Sequence, residues 1–276
     1  MNYDLLVDLA LAEDAGLGDL TSESIFPPDA TAEGEIVARE ALVLCGVHVA
    51  ARVFNRSDPD VSVEPLEKDG ARLQAGDAAI RVSGPVRGIL TAERTALNFL
   101  QFLSGIATLA RSYADAAAPY GVRVCDTRKT LPGFRALSKY AVRCGGCFNH
   151  RSSLADHVLI KDNHIAAAGD IANAVRRARA YAPHTAKIEV EADSLEMVSE
   201  AVAAGADIIL LDNMTPDRIT AAKELVGGRA VLEASGGITL ENLGPYAQTG
   251  IDVISVGALT HSNRAADLSL DLDGQI

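Results

Sequence analysis

From Gly121 onward, short apolar runs alternate with stretches in which apolar residues recur every three or four positions. The runs are VRVCD, VLIKD, KIEVE, IILLD, AVLEAS and VISVG, and IANAVRRARAYA, SLEMVSEAVAAGA and PDRITAAKELVGG fall between them. Near-continuous Val, Ile and Leu marks strands buried on both faces, and the intervening period is that of amphipathic helices. Repeated βα units predict a parallel sheet covered by helices. Six runs put the fold near, or short of, a complete (β/α) barrel. An open flavodoxin-like sheet is the alternative that also gathers its strand ends.

Upstream the texture differs. The first residues, MNYDLLVDLALAEDAG, place Leu5, Leu6, Leu9 and Ala12 on one helical face and predict a short surface helix. After the turn-rich GLGDLTSESIFPPDATAEG, the segments EIVAREALVLCG, VSVEPLEKDG, ARLQAGDAAIRVSGP and VRGIL have strand-like periodicity. Gly, Pro, Asn or Asp bounds each, as expected of a small, mainly antiparallel sheet. Asp19, Thr21 and Ser22 fit a turn or a helix cap as well as a site. Thr91, with Glu93 in the first turn, predicts the N-cap of a long helix that Pro119 and Gly121 stop. Leu97, Phe99, Leu100, Phe102, Leu103, Ile106 and Leu109 make it apolar nearly all round, so it is buried between domains or in a subunit interface. Arg94, near its start, either forms a surface ion pair or reaches an anion site.

Polar residues recur at the ends of the runs. Arg128 and Lys129 follow the first, then come Lys161, Glu191, Asp212, Glu233 with Ser235, and Ser255 with Gly257. From Lys161 to Ser255 the separations are 30, 21, 21 and 22 residues, about one strand plus one helix each. A βα-barrel collects such positions on its C-terminal face, where active sites lie. Small residues in LEASGGI (Ser235, Gly236, Gly237) and in ISVGALTHS (Ser255, Gly257, His261) let backbone N–H groups approach a phosphate. Glu191 and Asp212 suit a hard cation such as Mg²⁺, or sugar hydroxyls.

Charge sharpens this picture. The chain has 276 residues, 48% of them hydrophobic, and a net charge of −12. Between Arg123 and Lys161, however, eight Lys or Arg stand against Asp126 and Asp156, a local +6 that leaves −18 elsewhere. Such an island predicts binding of a small polyanion. The acidic pI near 4.9 argues against nucleic acid as partner. Asp4 and Asp8 stand where a secretory signal carries positive charge, and no apolar run is long enough to span a membrane, so a cytoplasmic protein is expected. Four cysteines are too few for a disulfide scaffold. Cys144-Gly-Gly-Cys147 with His150 offers a zinc or redox reading, against that of a glycine-rich turn with buried thiols. His150, His157 and His164 recur every seven residues, but turn signals interrupt them and the spacing carries no helical meaning.

DTRKTLPGFR, YAVRCGGCFNHR, LIKDNHI, EVEADSLEM, IILLDNM, LEASGGI and ISVGALTHS, with EDAGLGDLTS and AERTALNFLQFLSGIAT upstream, closely resemble the quinolinate phosphoribosyltransferases, or carboxylating nicotinate-nucleotide pyrophosphorylases. The resemblance runs over nearly the whole chain in order. It implies an α/β protein, with an N-terminal α+β sandwich-like domain over 1–110 and an incomplete (β/α) barrel over 111–261, the tail from about 262 to 276 packing on the former. It implies a homodimer, or an assembly built from dimers, in which one subunit's N-terminal domain covers the other's barrel mouth.

The family's quinolinate pocket falls on Arg128, Lys129, His150, Arg151 and Lys161, with Arg94 from the neighbouring subunit. Its phosphoribosyl side falls on Glu191, Asp212, Ser235, Gly236, Gly237, Ser255 and Gly257, with His261 nearby. Lys129, Lys161, Glu191 and Asp212 are the implied catalytic groups, and Glu191 and Asp212 the implied Mg²⁺ ligands, partly through substrate. The implied reaction converts quinolinate and phosphoribosyl pyrophosphate to nicotinate mononucleotide, pyrophosphate and CO₂. Two departures stand out: Ser153 precedes Leu154 where members carry glycine, and Cys147 replaces a third glycine. A molybdenum-transport-linked subgroup shares parts of these motifs, though NHR and IKDNH favour the quinolinate enzymes. A Schiff-base lyase using Lys161 and a catalytically silent binding protein are the other readings.

Overall fold

The computed structural model describes residues 3–273, which fall into two compact units. One holds the residues up to Arg111, Leu131–Gly146 and the chain from Ser262, and the other holds Ser112–Thr130 and Cys147–His261. Segment 131–146, expected to run on with the barrel, clusters with the first unit. Residues 274–276 of the expected tail lie outside the described residues.

In the first unit, α1 (Asp4–Ala15) is the surface helix expected, with Leu5 and Leu9 exposed. α2 (Leu20–Ile25) is capped by Asp19, which accepts the Ser22 N–H at 3.0 Å and the Ser22 hydroxyl at 2.6 Å. That cap accounts for Asp19 and Ser22 without a site. There follow β1 (Thr31–Ala38), β2 (Leu42–Val43), α3 (Val47–Ser57), β3 (Ser62–Pro65), β4 (Arg72–Leu73), β5 (Ala78–Pro85), α4 (Val86–Ala117, from Ser112 part of the second unit) and, later in the chain, α5 (Arg135–Cys144). Double hydrogen bonds from Arg52 to Asp4 and from Arg56 to Asp8 fasten α1 to α3.

The main sheet is antiparallel, in the order C-terminal strand (Leu268–Leu272), β1, β5, β3. Ile36 lies opposite Leu270 on one side and Ile80 on the other, and Ile36 and Ile80 are fully buried.

One element is unforeseen and one expectation fails here. Val47–Ser57, between two segments expected as strands, is a helix, because Val47, Ala50, Val53 and Phe54 form a buried helical stripe within VHVAARVF. VRGIL is not a strand: α4 starts at Val86, directly after Pro85, and Thr91 lies inside it, its hydroxyl donating to Asp19 Oδ2 at 3.1 Å.

The second unit carries β6 (Arg123–Cys125), β7 (Val158–Ile160), α6 (Asp162–Ala168), α7 (Ile171–Tyr181), β8 (Ile188–Ala192), α8 (Leu195–Ala203), β9 (Ile208–Asp212), α9 (Pro216–Val226), β10 (Val231–Ser235), α10 (Leu243–Gln248), β11 (Val253–Ser255) and α11 (Ala258–His261). All six apolar runs are strands, and they pair in parallel in the order β6-β11-β10-β9-β8-β7. From β7 to β11 each strand lies beside its predecessor, so there is no point at which the order reverses. A flavodoxin-like sheet requires one. On the outer edge of β6, the Phe148 N–H donates to the Val124 carbonyl (2.8 Å) and the Asp126 N–H to the Phe148 carbonyl (3.1 Å). Six strands and this bridge make an incomplete barrel.

Alternation along the strands sorts the side chains. Val190, Ile209, Leu211, Leu232 and Ala234 are buried on one face, while Glu191, Leu210, Asp212, Glu233 and Ser235 line a cavity on the other.

The C-terminal segment approaches α4 closely in the first unit: a Cβ on Gly105 would lie 2.0 Å from the Arg264 carbonyl oxygen, and the Ala266 N–H donates to the Gln101 carbonyl at 2.9 Å. Gly105→Ala is therefore expected to cost about 1–3 kcal/mol by overpacking. Urea denaturation measures this, and an unchanged midpoint would refute the close approach.

Candidate active site

The barrel strands end around a cavity of about 650 Å³. One wall is cationic. Arg128 and Lys129 come from the loop after β6, Arg151 from the loop before β7, and Lys161 from the end of β7. Lys161 Nζ lies 2.6 Å from Glu191 Oε2 at the end of the neighbouring strand, so this side chain has a carboxylate partner. Arg151 is held below the ordinary guanidinium value by burial and then by repulsion from Arg128.

The wall is anchored from beneath by acids. Asp126, fully buried at the end of β6, accepts the Asn149 side-chain amide (2.6 Å) and the His150 N–H (2.9 Å). Glu189, also fully buried, accepts from His157 Nε2 at 2.8 Å and lies 3.3 Å from His150 Nε2, and Glu233 Oε1 is 3.5 Å from the same nitrogen. His150 Nδ1 accepts the Arg151 N–H at 2.8 Å. With its lone pair committed there, the His150 ring carries its proton on Nε2 and points it at the carboxylates. Nε2 is thereby a donor and not a metal ligand, although His150, His157 and Glu189 cluster closely enough to suggest one.

The two interior carboxylates diverge. Burial alone raises Glu189, but its bonds to His150 and His157 outweigh that and hold it low. Glu233 is pushed up to about 7, first by burial and then by the charge of Glu189.

Next around the mouth, after Lys161, come Glu191 at the end of β8, Asp212 at the end of β9 and the turn Ser235-Gly236-Gly237 after β10. Asp212 Oδ2 accepts from Asn213 Nδ2 (2.8 Å), and the Asn213 N–H donates to the Ser235 carbonyl (2.8 Å). Gly236 has φ +98°, and a Cβ there would sit 2.2 Å from Asn213 Oδ1, so only glycine fits beneath that side chain. Leu159 and Leu210 supply apolar surface. Ser255 lines the cavity but is buried, its hydroxyl 3.4 Å from the Ala234 carbonyl.

Gly257 and His261 do not line the cavity. They lie behind it, where a Cβ on Gly257 would touch His261 Nε2 and Lys129 Cδ at 3.0 and 3.2 Å. The Thr260 hydroxyl holds the Lys129 carbonyl at 2.7 Å. Arg94 is exposed in the first unit, beside a separate cavity of that unit.

Glu189, Asp126, Asn149, His157 and Asn213 escape the sequence reading as site residues. The signal for Glu189 is present, since a second acid two positions before Glu191 in a strand shares its face. The zinc reading of Cys144, Cys147 and His150 is not supported: among the described residues these do not form a potential ligand cluster, and Cys144 and Cys147 belong to different units.

Because Glu233 binds its proton more tightly in the folded chain than in the unfolded one, stability from this group is complete below its unfolded value near 4.5 and is lost as pH rises through about 7. Glu233→Gln is expected to remove that loss, a difference on the order of 3 kcal/mol between pH 5 and pH 8. Urea unfolding of both proteins at the two pH values reads it, and parallel pH profiles would contradict the assignment.

The chain matches the family models "Quinolinate phosphoribosyl transferase, C-terminal domain" over residues 106–271 and "Quinolinate phosphoribosyl transferase, N-terminal domain" over 19–104. It is 45% identical over 260 residues to a probable carboxylating nicotinate-nucleotide pyrophosphorylase of Bacillus subtilis (strain 168), covering 94% of this chain and 90% of that protein. It is also 45% identical over 269 residues to the corresponding protein of Mycobacterium leprae (strain TN), covering 95% and 94%. The crystal structure of NadC from Streptococcus pyogenes superimposes with a TM-score of 0.94 at 44% identity, covering 98% of this chain and 96% of that one.

Proposed function

The chain belongs to the quinolinate phosphoribosyltransferase family, and from that membership we propose that the barrel cavity joins quinolinate to phosphoribosyl pyrophosphate, giving nicotinate mononucleotide, pyrophosphate and CO₂ in de novo NAD biosynthesis. The observation that carries this reading is one cavity lined by Arg128, Lys129, Arg151 and Lys161 and, next around its mouth, by Glu191, Asp212 and a glycine turn.

Both substrates are polyanions, and the cationic wall offsets their mutual repulsion. Quinolinate's two carboxylates lie against Arg128, Lys129, His150, Arg151 and Lys161, as charge-assisted contacts. The phosphates take the Ser235-Gly236-Gly237 turn, with Ser255, Gly257 and His261 behind. As pyrophosphate departs from C1′ with Lys129 and Lys161 near the leaving charge, Glu191 and Asp212 stabilise the oxocarbenium-like centre that the pyridine nitrogen attacks. The nitrogen, once quaternary, stabilises the carbanion formed as the adjacent carboxylate leaves as CO₂. The ring is its own electron sink, so no general base is needed, and the carbanion takes up a proton from water to give nicotinate mononucleotide.

Glu191 and Asp212 also suit Mg²⁺, since two carboxylates lining one cavity match an ion that takes one or two protein oxygens and completes its shell from phosphates and water. When bound, Mg²⁺ would neutralise pyrophosphate charge.

The reading extends to a homodimer, itself able to assemble further, in which Arg94 serves the neighbouring subunit's site. Arg94 is exposed, and the cavity of about 360 Å³ that it lines with Phe99, Leu131 and Phe134 is an apolar surface suited to a second copy. No helix among the described residues is long and apolar enough to cross a membrane, no disulfide joins the cysteines, and a cytoplasmic location fits both.

Purified protein with quinolinate, phosphoribosyl pyrophosphate and Mg²⁺ should release pyrophosphate and CO₂ together, with nicotinate inert, and turnover of nicotinate instead would sink the reading. Arg151→Ala should weaken quinolinate binding by about 3 kcal/mol, on the order of a hundredfold in Kd. Wild-type affinity by calorimetry would remove Arg151 from the pocket. Mixed and re-equilibrated Arg94→Ala and Lys161→Ala proteins should recover roughly a quarter of wild-type activity through heterodimers with one complete site. No recovery would mean that Arg94 does not act in trans.

A further inference from the structure

The first unit holds a second chemical cluster. Cys45 lies between β2 and α3, buried, its N–H donating to Ser104 Oγ at 2.9 Å. Cys144 ends α5 and is partly exposed. The two sulfurs, from positions 99 residues apart, lie within 4.8 Å of each other and of an Asp69 carboxylate oxygen.

Cys45, Cys144 and Asp69 suggest a cation site, but Asp69 is otherwise engaged. Its Oδ1 accepts the Gly46 and Val47 N–H groups at 2.9 and 3.0 Å, where α3 begins. Its Oδ2 takes the Tyr140 hydroxyl at 2.7 Å and faces His48 Nδ1 at 3.2 Å. A metal would have to displace these donors from the start of α3, and that leaves two adjacent thiols as the reactive part of the cluster.

We propose that Cys45 and Cys144 are a modification site, a dithiol that peroxide-class oxidants convert reversibly to a disulfide. The Cys144 sulfur attacks a peroxide oxygen and the O–O bond breaks. The leaving alkoxide or hydroxide takes up the proton lost by the Cys144 thiol and departs as alcohol or water, and Cys144 becomes a sulfenic acid. Cys45 then attacks the Cys144 sulfur, the S–S bond forms as the S–O bond breaks, and the Cys45 proton leaves with the hydroxyl as water. The two thiols have lost two electrons, and the peroxide has gained them.

Cys144 is the attacking member on two grounds. It is the more exposed, and its thiol is held below the ordinary value chiefly by the Cys45 S–H donating to it, against the opposing effect of burial. Cys45, the donor, is pushed up in turn, chiefly by that same bond, which oxidation of Cys144 removes. The sulfurs must close to about 2.05 Å, which the packing of α5 against the β2–α3 turn has to allow.

The test uses the reduced full-length protein, treated with hydrogen peroxide or tert-butyl hydroperoxide, alkylated and mapped without reduction. A peptide pair joining Cys45 to Cys144 is expected, reversed by dithiothreitol, with Cys125 and Cys147 still alkylated. Cys45→Ala should stop at a Cys144 sulfenic acid that dimedone captures. Should that buried change disturb the fold, Cys144→Ser at the more exposed position should leave Cys45 as free thiol after oxidation. The proposal is overturned if Cys45 remains free in oxidised wild type while Cys144 runs on to sulfinic acid. It is equally overturned if the reduced protein retains stoichiometric zinc that Cys144→Ser abolishes, since the cluster is then a metal site.

Discussion

Cations gathered on one wall repel one another, and everything at the barrel mouth depends on how that repulsion is offset. The offset is built beneath the wall. Asp126 and Glu189 are fully buried; Asp126 engages the segment that carries the wall through both oxygens, and Glu189 through Oε2. Asp126 takes the Asn149 amide and the His150 N–H, and Glu189 takes the His157 ring and faces that of His150. A buried charge is costly unless paired and hydrogen-bonded, so these contacts leave the Asn149–Arg151 stretch little freedom. Wall and anchor are one electrostatic unit.

The strand order makes this unit possible. β8 and β10 carry Glu189 and Glu233 into the interior, and the Phe148 bridge brings the basic loop onto the outer edge of β6. A sheet that reversed its order midway would send the loops after its strands to opposite sides of a crevice. Here they ring one mouth, and substrates of like charge are held between a cationic half and a half made of carboxylates and open backbone.

Much of this is legible in the order of the residues. Six apolar runs become six parallel strands, and the spacing from Lys161 to Ser255 correctly forecasts polar residues around one cavity, because one strand plus one helix advances the chain by one barrel position. Other features stay hidden. VHVAARVF alternates like a strand over its first residues, yet its buried stripe is helical, and the N–H groups of Gly46 and Val47 at its start are taken by Asp69, some twenty residues on. VRGIL reads as a strand because its Gly and β-branched residues weaken the helical signal, yet it is the first turns of α4. The recurrence of His150 and His157 has no helical meaning, yet both rings reach Glu189, since the strand after His157 pairs with the strand that holds the acid.

By itself the sequence determined the βα repeat, the register of polar strand ends and the concentration of positive charge, because each is a local property of composition and period. Tertiary structure alone decided what balances that charge and what pairs with what. Glu189 and Asp126 become anchors only when the sheet curls, and Cys144 meets Cys45 rather than the nearby Cys147 because α5 clusters with the first unit. Such contacts join residues far apart in the chain, and neither spacing nor composition carries information about them.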